Sequence, residues 1–460
     1  MGVLDFVYKL SPVFMQNFLC TAYGYIENKK RYGKHFRDFL FFLRASDYWD
    51  HRQRESYQAQ ALTNLLLGLK RNNYYGVALS KFSSQDIVAN PFAVLAGLPL
   101  TEKKDVFQFC NDIRVSAAGG FEVKTSGTTG TSLRIYKTNE DMSAQTACWV
   151  RHRERFNVSF RDLSVNFTGK LVVPSRTSKP PFWRYNAAWR QYLVNMQHIT
   201  RDNINEIVGF LNSIAPVFYS GYPSIIANVA SLALEQGLEL HASARPKVVF
   251  CGAENTLAWQ SEAIFRWTGA TITDLYGLTE GACNLSKCQH GYYHEDFEIC
   301  YTELAEPENL ADGRIRGKLV GTGFALKAFP LLRYNTGDVA VRMPSSFLCG
   351  CGRRGTVYES IEGRVDDYVL TPGGSKVMRF DYLFKDTREI EEVQVVQPLL
   401  DSVTFRIKLR KNAEIGLLED LLTRRFAEWI SADMKLNFEY VEDIEKTSAG
   451  KFKAVVSLLR

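Results

Sequence analysis

Residues 247–280 read KVVFCGAENTLAWQSEAIFRWTGATITDLYGLTE, and this stretch decides the fold class. Lys247–Cys251 is a short apolar run followed by a glycine-containing turn, as in a buried strand. Leu257–Trp267 has the spacing of a helix, and Thr271–Leu275 has the composition of a second buried strand. Strand, turn, helix and strand in this order form a βαβ unit, so the sequence predicts an α/β fold.

Helices are also predicted upstream of this unit. Asn203–Ile214 has apolar residues at helical spacing on one face. Ser224 is placed to cap a second helix that stops at Gly237. The apolar stretch Phe36–Leu43 is interpreted as a buried helix rather than a membrane-contacting surface, because apolar helix faces are common in protein cores.

The last hundred residues show a different pattern. Apolar and polar residues alternate from Val403 to Leu409, as in a strand with one solvated face, and Ile415–Ile430 then has helical spacing. The sequence therefore predicts a large multi-layer α/β domain over residues 1–365 and a small α+β domain over residues 366–460. The turn-rich stretch Gly363–Gly374 would join them.

Composition and length are those of a globular enzyme with more than one domain. The chain has 460 residues, 46% hydrophobic and 23% charged, and a formal net charge of +6. Apolar runs fall short of the roughly 18 residues that a membrane-spanning helix needs, and the start MGVLDFVYKLSP lacks a secretory leader. Nine cysteines without such a leader indicate reduced thiols in the cytoplasm. The sequence shows no basic stripe with interleaved aromatics, which argues against nucleic acid as a partner.

The most distinctive local motif is TSGTTGTS, residues 125–132. Glycines let the backbone approach a ligand, and successive N–H groups can form a nest for phosphate oxygens. Thr131 stands where a Walker A loop has lysine, so the motif is of another kind. The alternative is a polar hairpin turn.

Three further loops carry ligand-binding side chains. Gly252-Ala253-Glu254 and Thr273–Glu280 each follow a strand, where α/β proteins place ligands. Within the second loop, Tyr276 can stack on a purine and Glu280 can bind Mg²⁺ through oxygen. Tyr334–Asp338, with sequence YNTGD, offers a carboxylate that can accept hydrogen bonds from both ribose hydroxyls. Each loop alone is equally consistent with a plain turn.

The six motifs occur in an order that resembles the superfamily of adenylate-forming enzymes. The last two are Gly363–Asp367 (GRVDD) and Lys446–Lys451 (KTSAGK). Within the superfamily the chain resembles the phenylacetate–coenzyme A ligase family, and especially its branch linked to capsular polysaccharide synthesis. The branch resemblance rests on LPLTEK at residues 98–103, GYPS at 221–224, VQVVQ at 393–397 and GKFK at 450–453. It extends from about Pro91 to the last residue.

The resemblance implies a role for individual residues. The loop that would cradle the β- and γ-phosphates of ATP consists of Thr125, Ser126, Gly127, Thr128, Thr129, Gly130 and Thr131. The adenine and ribose pocket would be lined by Gly252, Ala253, Glu254, Tyr276 and Gly277, with Asp338 and Arg364 on the ribose. Thr279 and Glu280 would serve the α-phosphate and Mg²⁺. Lys451 would bridge the substrate carboxylate and the α-phosphate, delivered by a mobile C-terminal domain that swings on the hinge Arg364–Asp367.

The implied activity is adenylation of a carboxylic acid by ATP and Mg²⁺, followed by acyl transfer. The substrate carboxylate itself attacks phosphorus, so no protein nucleophile is needed. Coenzyme A is the expected acceptor, and an amine or a carrier protein is the alternative. The acid is open between aromatic, aliphatic and sugar-linked. A non-catalytic nucleotide-binding protein is a third reading, which intact Glu280, Asp338, Arg364 and Lys451 argue against.

A metal site is predicted from two short pairs of ligand residues. Cys288 and His290 form a C-x-H pair, and Cys349 and Cys351 form a C-x-C pair. Four such ligands are the usual set for structural Zn²⁺, and the resemblance extends to relatives with a Cys/His zinc site. Cys283 and His294 compete for one ligand position. The alternative is that these are reduced cysteines packed in loops.

Overall fold

The computed structural model describes residues 3–115, 120–124, 133–362, 368–377, 380, 383–384, 387, 389–409, 415–444 and 454–459. Over these residues the chain is a mixed α/β protein, which confirms the predicted fold class. The predicted boundary between residues 365 and 366 falls outside them, so it stays a prediction.

Helices dominate the first part of the chain. The elements before the main sheet are α1 (Val3–Leu10), α2 (Val13–Arg31), α3 (Lys34–Ser46), α4 (His51–Leu69), α5 (Tyr75–Leu79), α6 (Ser84–Ala89), α7 (Pro91–Ala96), α8 (Lys103–Gln108), α9 (Cys110–Ile113), β1 (Phe121–Lys124), β2 (Arg134–Lys137) and α10 (Asn139–Glu154). The helix predicted around Phe36–Leu43 is α3. Its residues Phe36, Leu40 and Leu43 share one face and are buried, whereas Phe41 on the other face is 75% exposed.

A twelve-stranded sheet forms the centre of the molecule. Its strands are β3 (Ser164–Thr168), β4 (Trp183–Asn186), β5 (Gln191–Asn195), β6 (Phe218–Gly221), β7 (Val248–Gly252), β8 (Thr271–Gly277), β9 (Asn284–Lys287), β10 (Tyr293–Glu295), β11 (Cys300–Asn309), β12 (Ile315–Gly323), β13 (Tyr334–Arg342) and β14 (Val357–Glu362). Their order is β11-β12-β13-β14-β10-β9-β8-β7-β6-β3-β5-β4. Strands β8, β7, β6, β3 and β5 pair in parallel, and every pair from β8 to β11 is antiparallel. The sheet therefore has a parallel and an antiparallel half that meet at β8.

Helices cover both faces of the parallel half, as buried parallel strands require. On one face lie α11 (Ile204–Ile214), α12 (Pro223–Glu235) and α13 (Ala258–Thr268). Val165 and Phe167 of β3 point into this layer and belong to one apolar cluster with it. On the opposite face lies α10, whose His152 ring lies 5.6 Å from the ring of Phe250 in β7.

The predicted βαβ unit is β7, α13 and β8, and the first predicted upstream helix is α11. These predictions are confirmed. One detail was wrong, because Ser224 is not the cap of α12: the helix begins at Pro223, and Ser224 lies inside its first turn. Proline at the first helical position fixes φ and has no N–H left unpaired, so it sets the start one residue earlier.

The C-terminal part is a small α+β unit. It contains β15 (Val369–Leu370), β16 (Lys376–Val377), β17 (Ile390–Leu399), β18 (Ser402–Leu409), α14 (Ile415–Trp429), β19 (Lys435–Tyr440) and β20 (Val455–Ser457), with the four longer strands in the order β19-β18-β17-β20. Val403, Phe405 and Ile407 alternate inward as predicted. The Ser375 hydroxyl donates to the Ile199 carbonyl oxygen at 2.6 Å, which ties this unit to the larger one.

All nine cysteines are free of disulfide bonds. In the described part of the chain, no helix is both long and apolar enough to cross a bilayer.

Candidate active site

The candidate site lies at the carboxyl ends of β7 and β8, at the junction of the two sheet halves. Gly252 at the end of β7 pairs with Leu275 of β8, so the loops that follow these strands start side by side. This is the edge where open α/β sheets bind ligands. The predicted G-A-E and Y-G-L-T-E motifs therefore meet at one place.

Gly252-Ala253-Glu254 makes a sharp turn over that edge. Ala253 has φ +63°, a left-handed conformation that costs energy for a residue with a Cβ and is often found at functional sites. The Glu254 carboxylate accepts a hydrogen bond of 3.2 Å from the backbone N–H of Ser224. The G-Y-P-S motif at residues 221–224 is thus brought beside G-A-E, although 30 residues separate them.

Tyr276 and Asp338 come from the two halves of the sheet and touch. The Tyr276 hydroxyl donates to Asp338 Oδ2 at 2.7 Å. Burial, followed by the charge of Asp338, raises the pKa of Tyr276 well above its usual range, so the phenol stays a donor. This hydrogen bond holds the Tyr276 ring beside the Asp338 carboxylate. The arrangement suits a nucleoside, with its base against the ring and its ribose against the carboxylate.

Glu280 lies in the turn after β8 together with Thr279. The hydroxyl of Tyr334 in β13 donates to Glu280 Oε1 at 3.2 Å. A carboxylate with one such bond keeps lone pairs for Mg²⁺, which prefers one or two carboxylates plus phosphate oxygens. The Glu280 carboxylate is therefore a suitable ligand for the predicted Mg²⁺ ion.

The L-P-L-T-E-K motif also reaches this site. Thr101 bridges to Tyr334 in parallel, and Asn335 Nδ2 lies 3.2 Å from both carboxylate oxygens of Glu102. These bonds fix the first residues of β13, and thereby the approach to Asp338. Residues 98–103 thus position the Y-N-T-G-D strand.

Lys137 is a candidate residue that the sequence analysis missed. It is 3% exposed at the end of β2, between the phosphate-loop motif and α10. Burial lowers the pKa of Lys137 to about 8, and the charges of Glu280 and Asp141 oppose that shift. The signal was available, because strand alternation places Lys137 on the same inward face as Ile135, and a lysine on an apolar face is unusual.

Thr125–Thr131, Arg364 and Lys451 lie outside the described residues. Their predicted roles on the phosphates, the ribose and the substrate carboxylate stay predictions.

Three of the four predicted zinc ligands lie together. Cys288, Cys349, Cys351 and His294 place one ligand atom each within 4.8 Å of one another. Cys288 Sγ lies 3.7 Å from Cys349 Sγ, and Cys351 Sγ lies 3.3 Å from His294 Nε2. The structure corrects the fourth member: His294 occupies the position predicted for His290, which is exposed and lies outside the group.

The geometry of this cluster fits a tetrahedral metal. With Zn–S bonds of about 2.3 Å, two sulfurs of a tetrahedron lie about 3.8 Å apart, close to the distance between Cys288 and Cys349. Burial lowers the pKa of His294 to about 4, which keeps the imidazole neutral as metal binding requires. Gly291 and Gly352, at φ +86° and +82°, close the two turns that carry the cysteines.

An arginine–carboxylate network connects the cysteine cluster to α10. Arg353, two residues after Cys351, lies 3.2 Å from Asp296 Oδ1. Arg151 of α10 lies 2.8 Å from the same oxygen and 2.5 Å from Glu298 Oε1. Burial by itself raises the pKa of Asp296, but the neighbouring guanidiniums, Arg151 first, hold it below its usual range.

Comparisons with known proteins agree with this architecture. Residues 369–458 match the family model of the CapK C-terminal domain. Over the full length of both chains, the sequence is 25% identical to Protein CapK of Staphylococcus aureus. It is 27% identical over 207 residues to a phenylacetate-coenzyme A ligase of Pseudomonas putida, covering 42% of this chain and 45% of that one.

Among solved structures, 2-hydroxyisobutyryl-CoA ligase in the postadenylation state, in complex with R3-HIB-AMP, has the same fold. The TM-score is 0.55 at 17% identity, and the match covers 89% of this chain and 91% of that one.

In sequence the chain is similar to phenylacetate-coenzyme A ligases, and in fold it is similar to 2-hydroxyisobutyryl-CoA ligase. The full-length match to Protein CapK and the match to the CapK C-terminal domain confirm the resemblance to the capsular polysaccharide branch.

Proposed function

We propose that this protein adenylates a carboxylic acid with ATP and Mg²⁺ and then transfers the acyl group to coenzyme A. The observation that carries the proposal is the contact between Tyr276 and Asp338 at the edge where the G-A-E and Y-G-L-T-E loops meet. This contact places the Tyr276 ring, which would stack on adenine, beside the Asp338 carboxylate, which would accept hydrogen bonds from the ribose hydroxyls. Glu280 and its hydrogen-bond partner Tyr334 lie at the same edge of the sheet, which suits a metal ion that binds both Glu280 and the α-phosphate.

The reaction then follows from charge placement. The carboxylate of the acid attacks the α-phosphorus of ATP, pyrophosphate leaves, and acyl-AMP forms. Thr279, Mg²⁺ on Glu280 and the ammonium of Lys451 would stabilise the negative charge that builds on the phosphate oxygens. The thiol of coenzyme A would displace AMP in the second step.

Pyrophosphate exchange with a broad library of carboxylic acids tests the first step. We expect ATP-dependent exchange with at least one acid, and AMP release on addition of coenzyme A. Release with hydroxylamine but not with coenzyme A would favour an amine or a carrier protein as acceptor. If no acid supports exchange and ATP does not bind, the proposal fails.

Asp338→Ala should raise the KM for ATP by about ten- to a hundredfold. The change removes a charged acceptor for the ribose hydroxyls, worth about 1.5–3 kcal/mol, and leaves the buried Tyr276 hydroxyl without this partner. Steady-state kinetics at varied ATP measures it. Asp312→Ala, at an exposed turn carboxylate paired with Arg314, is the control and should leave KM unchanged. Equal KM values for ATP in the two variants would show that Asp338 does not bind the ribose.

We also propose that Cys288, His294, Cys349 and Cys351 hold one structural zinc ion. Cys349→Ser should remove one ligand and lower the free energy of unfolding by on the order of 4 kcal/mol, while affinity for ATP in the folded variant changes little. Elemental analysis and chemical denaturation measure the two effects. Cys110→Ser, at a half-buried cysteine outside the cluster, should keep both zinc and stability. A fully folded wild-type protein without zinc would contradict the proposal.

A further inference from the structure

A cavity of about 930 Å³ lies away from the adenylation residues. It opens to solvent and is bordered by α2, by the C-terminal part of α10, by the face of β3 that carries Ser164, Asn166 and Thr168, and by residues 170–172 and 186–191. Because side chains alternate along a strand, this is the face opposite Val165 and Phe167, which pack against the α11–α12 layer. Among the described residues of the predicted nucleotide site, none lines this cavity.

The charges on the cavity wall are of one sign. Its basic residues are Arg31, Arg37, Arg153, Arg161, Lys170 and Arg190, and no aspartate or glutamate occurs among the described residues that line it. Arg31 Nη2 lies 3.5 Å from Oε2 of Glu27, a residue that does not line the cavity. A cleft lined by one sign of charge attracts ligands of the opposite sign.

Arg153 is the basic residue of this set that is best placed to bind an anion. Its guanidinium lies 4.9 Å from the ring centroid of Phe218 and 5.9 Å from that of Phe250. Within the described chain its side chain makes no salt bridge and no hydrogen bond. Burial lowers the pKa of Arg153 from its usual value, which is the effect of desolvating a charge without a compensating carboxylate. The Arg153 side chain is half-buried, and its open side faces the cavity.

The remaining walls are aromatic. The rings of Tyr32 and Phe160 stack with centroids 5.5 Å apart, and Trp149 and Trp189 line the cavity as well. Aromatic faces contribute large apolar contact areas to a ligand. The combination suits a molecule with an apolar, ring-bearing body and a negative group.

We propose that this cavity is a second binding site, for an organic anion with an apolar, ring-bearing body, and that Arg153 anchors the anionic group. The site is separate from the nucleotide site and goes beyond the proposed adenylation activity. A ligand there contacts α10, the helix that follows the phosphate-loop motif, and α2, in the N-terminal helical part of the chain.

The test compares two fluorescent probes with similar aromatic bodies. These are 8-anilinonaphthalene-1-sulfonate, which is anionic, and N-phenyl-1-naphthylamine, which is neutral. Arg153→Ala should weaken binding of the sulfonate by about ten- to a hundredfold, because a charge-assisted contact is lost, and should leave binding of the amine within about twofold. Arg424→Ala, at an exposed arginine of α14, is the matched control and should change neither.

A second variant guards against loss of folding. Arg190 is exposed on the cavity rim with φ +47°, a conformation that asparagine tolerates, so Arg190→Asn removes a charge without adding strain. It should weaken sulfonate binding selectively, though less than Arg153→Ala. Adding ATP and Mg²⁺ should not displace the sulfonate. Absence of sulfonate binding, equal losses for both probes, or displacement by ATP would each overturn the proposal, whether or not the enzyme adenylates an acid.

Discussion

Lys451→Ala is expected to slow acyl-AMP formation by roughly a hundred- to a thousandfold, the loss typical of one preorganised donor at a developing charge. Transfer from chemically synthesised acyl-AMP to the acceptor should proceed nearly as in the wild type. The physical reason is that the repulsion between carboxylate and triphosphate exists only in the first step. A lysine carried on a small domain can be present in one conformation and withdrawn in the next. Two single-turnover rates measure it, one from acid and ATP and one from acyl-AMP.

Lys446→Ala and Lys453→Ala are the matched controls, since both lysines neighbour Lys451 in the sequence. Both should keep the adenylation rate. Equal losses in the two half-reactions of Lys451→Ala would show that this lysine is not specific to adenylation. If Lys451→Ala forms acyl-AMP at the wild-type rate and one control variant is slow, the catalytic lysine is the neighbour replaced in that control.

Arg151→Met should lower the free energy of unfolding by about 3–5 kcal/mol, because it leaves buried carboxylates without their main counter-charge. Arg151 is 1% exposed and bonds both Asp296 and Glu298, which are themselves buried. Urea denaturation followed by circular dichroism measures the change. Arg201→Ala breaks an exposed pair with Glu235 and should cost less than about 1 kcal/mol. If the two variants lose similar stability, the buried network does not contribute as inferred.

Parts of the candidate site could be predicted from the order of motifs along the sequence. Gly252, Tyr276 and Asp338 stand in motifs whose order resembles a known family, and two of these motifs follow strands. The contact between Tyr276 and Asp338 was not predictable, because it depends on how β13 joins the antiparallel half of the sheet. Lys137 was missed because its meaning depends on Glu280, 143 residues later, whose charge acts on it.

His294 illustrates a limit of spacing arguments. Two histidines follow Cys288 closely, and the short C-x-H spacing favoured His290. In the structure His290 lies in the exposed turn between β9 and β10, whereas His294 is opposite Ser286 of β9 and Val357 of β14. Cys288 directly follows β9 and Cys351 precedes β14, so strand register brings His294 into the group with these cysteines. Register depends on tertiary pairing, which the spacing of two residues does not encode.

The order of the strands has a consequence for how the chain folds. Strands β11 to β14 pair with neighbours that follow closely in the chain, but Tyr293 of β10 pairs with Tyr358 of β14 across all of them. Pairing between distant segments is the slower process, because loop-closure entropy is lost before contacts form. Asp338 lies in β13, on the far side of the β10–β14 pair from Tyr276 in β8, so their contact depends on that distant pairing. By mass action, a ligand that bound between Tyr276 and Asp338 would stabilise the protein at this junction.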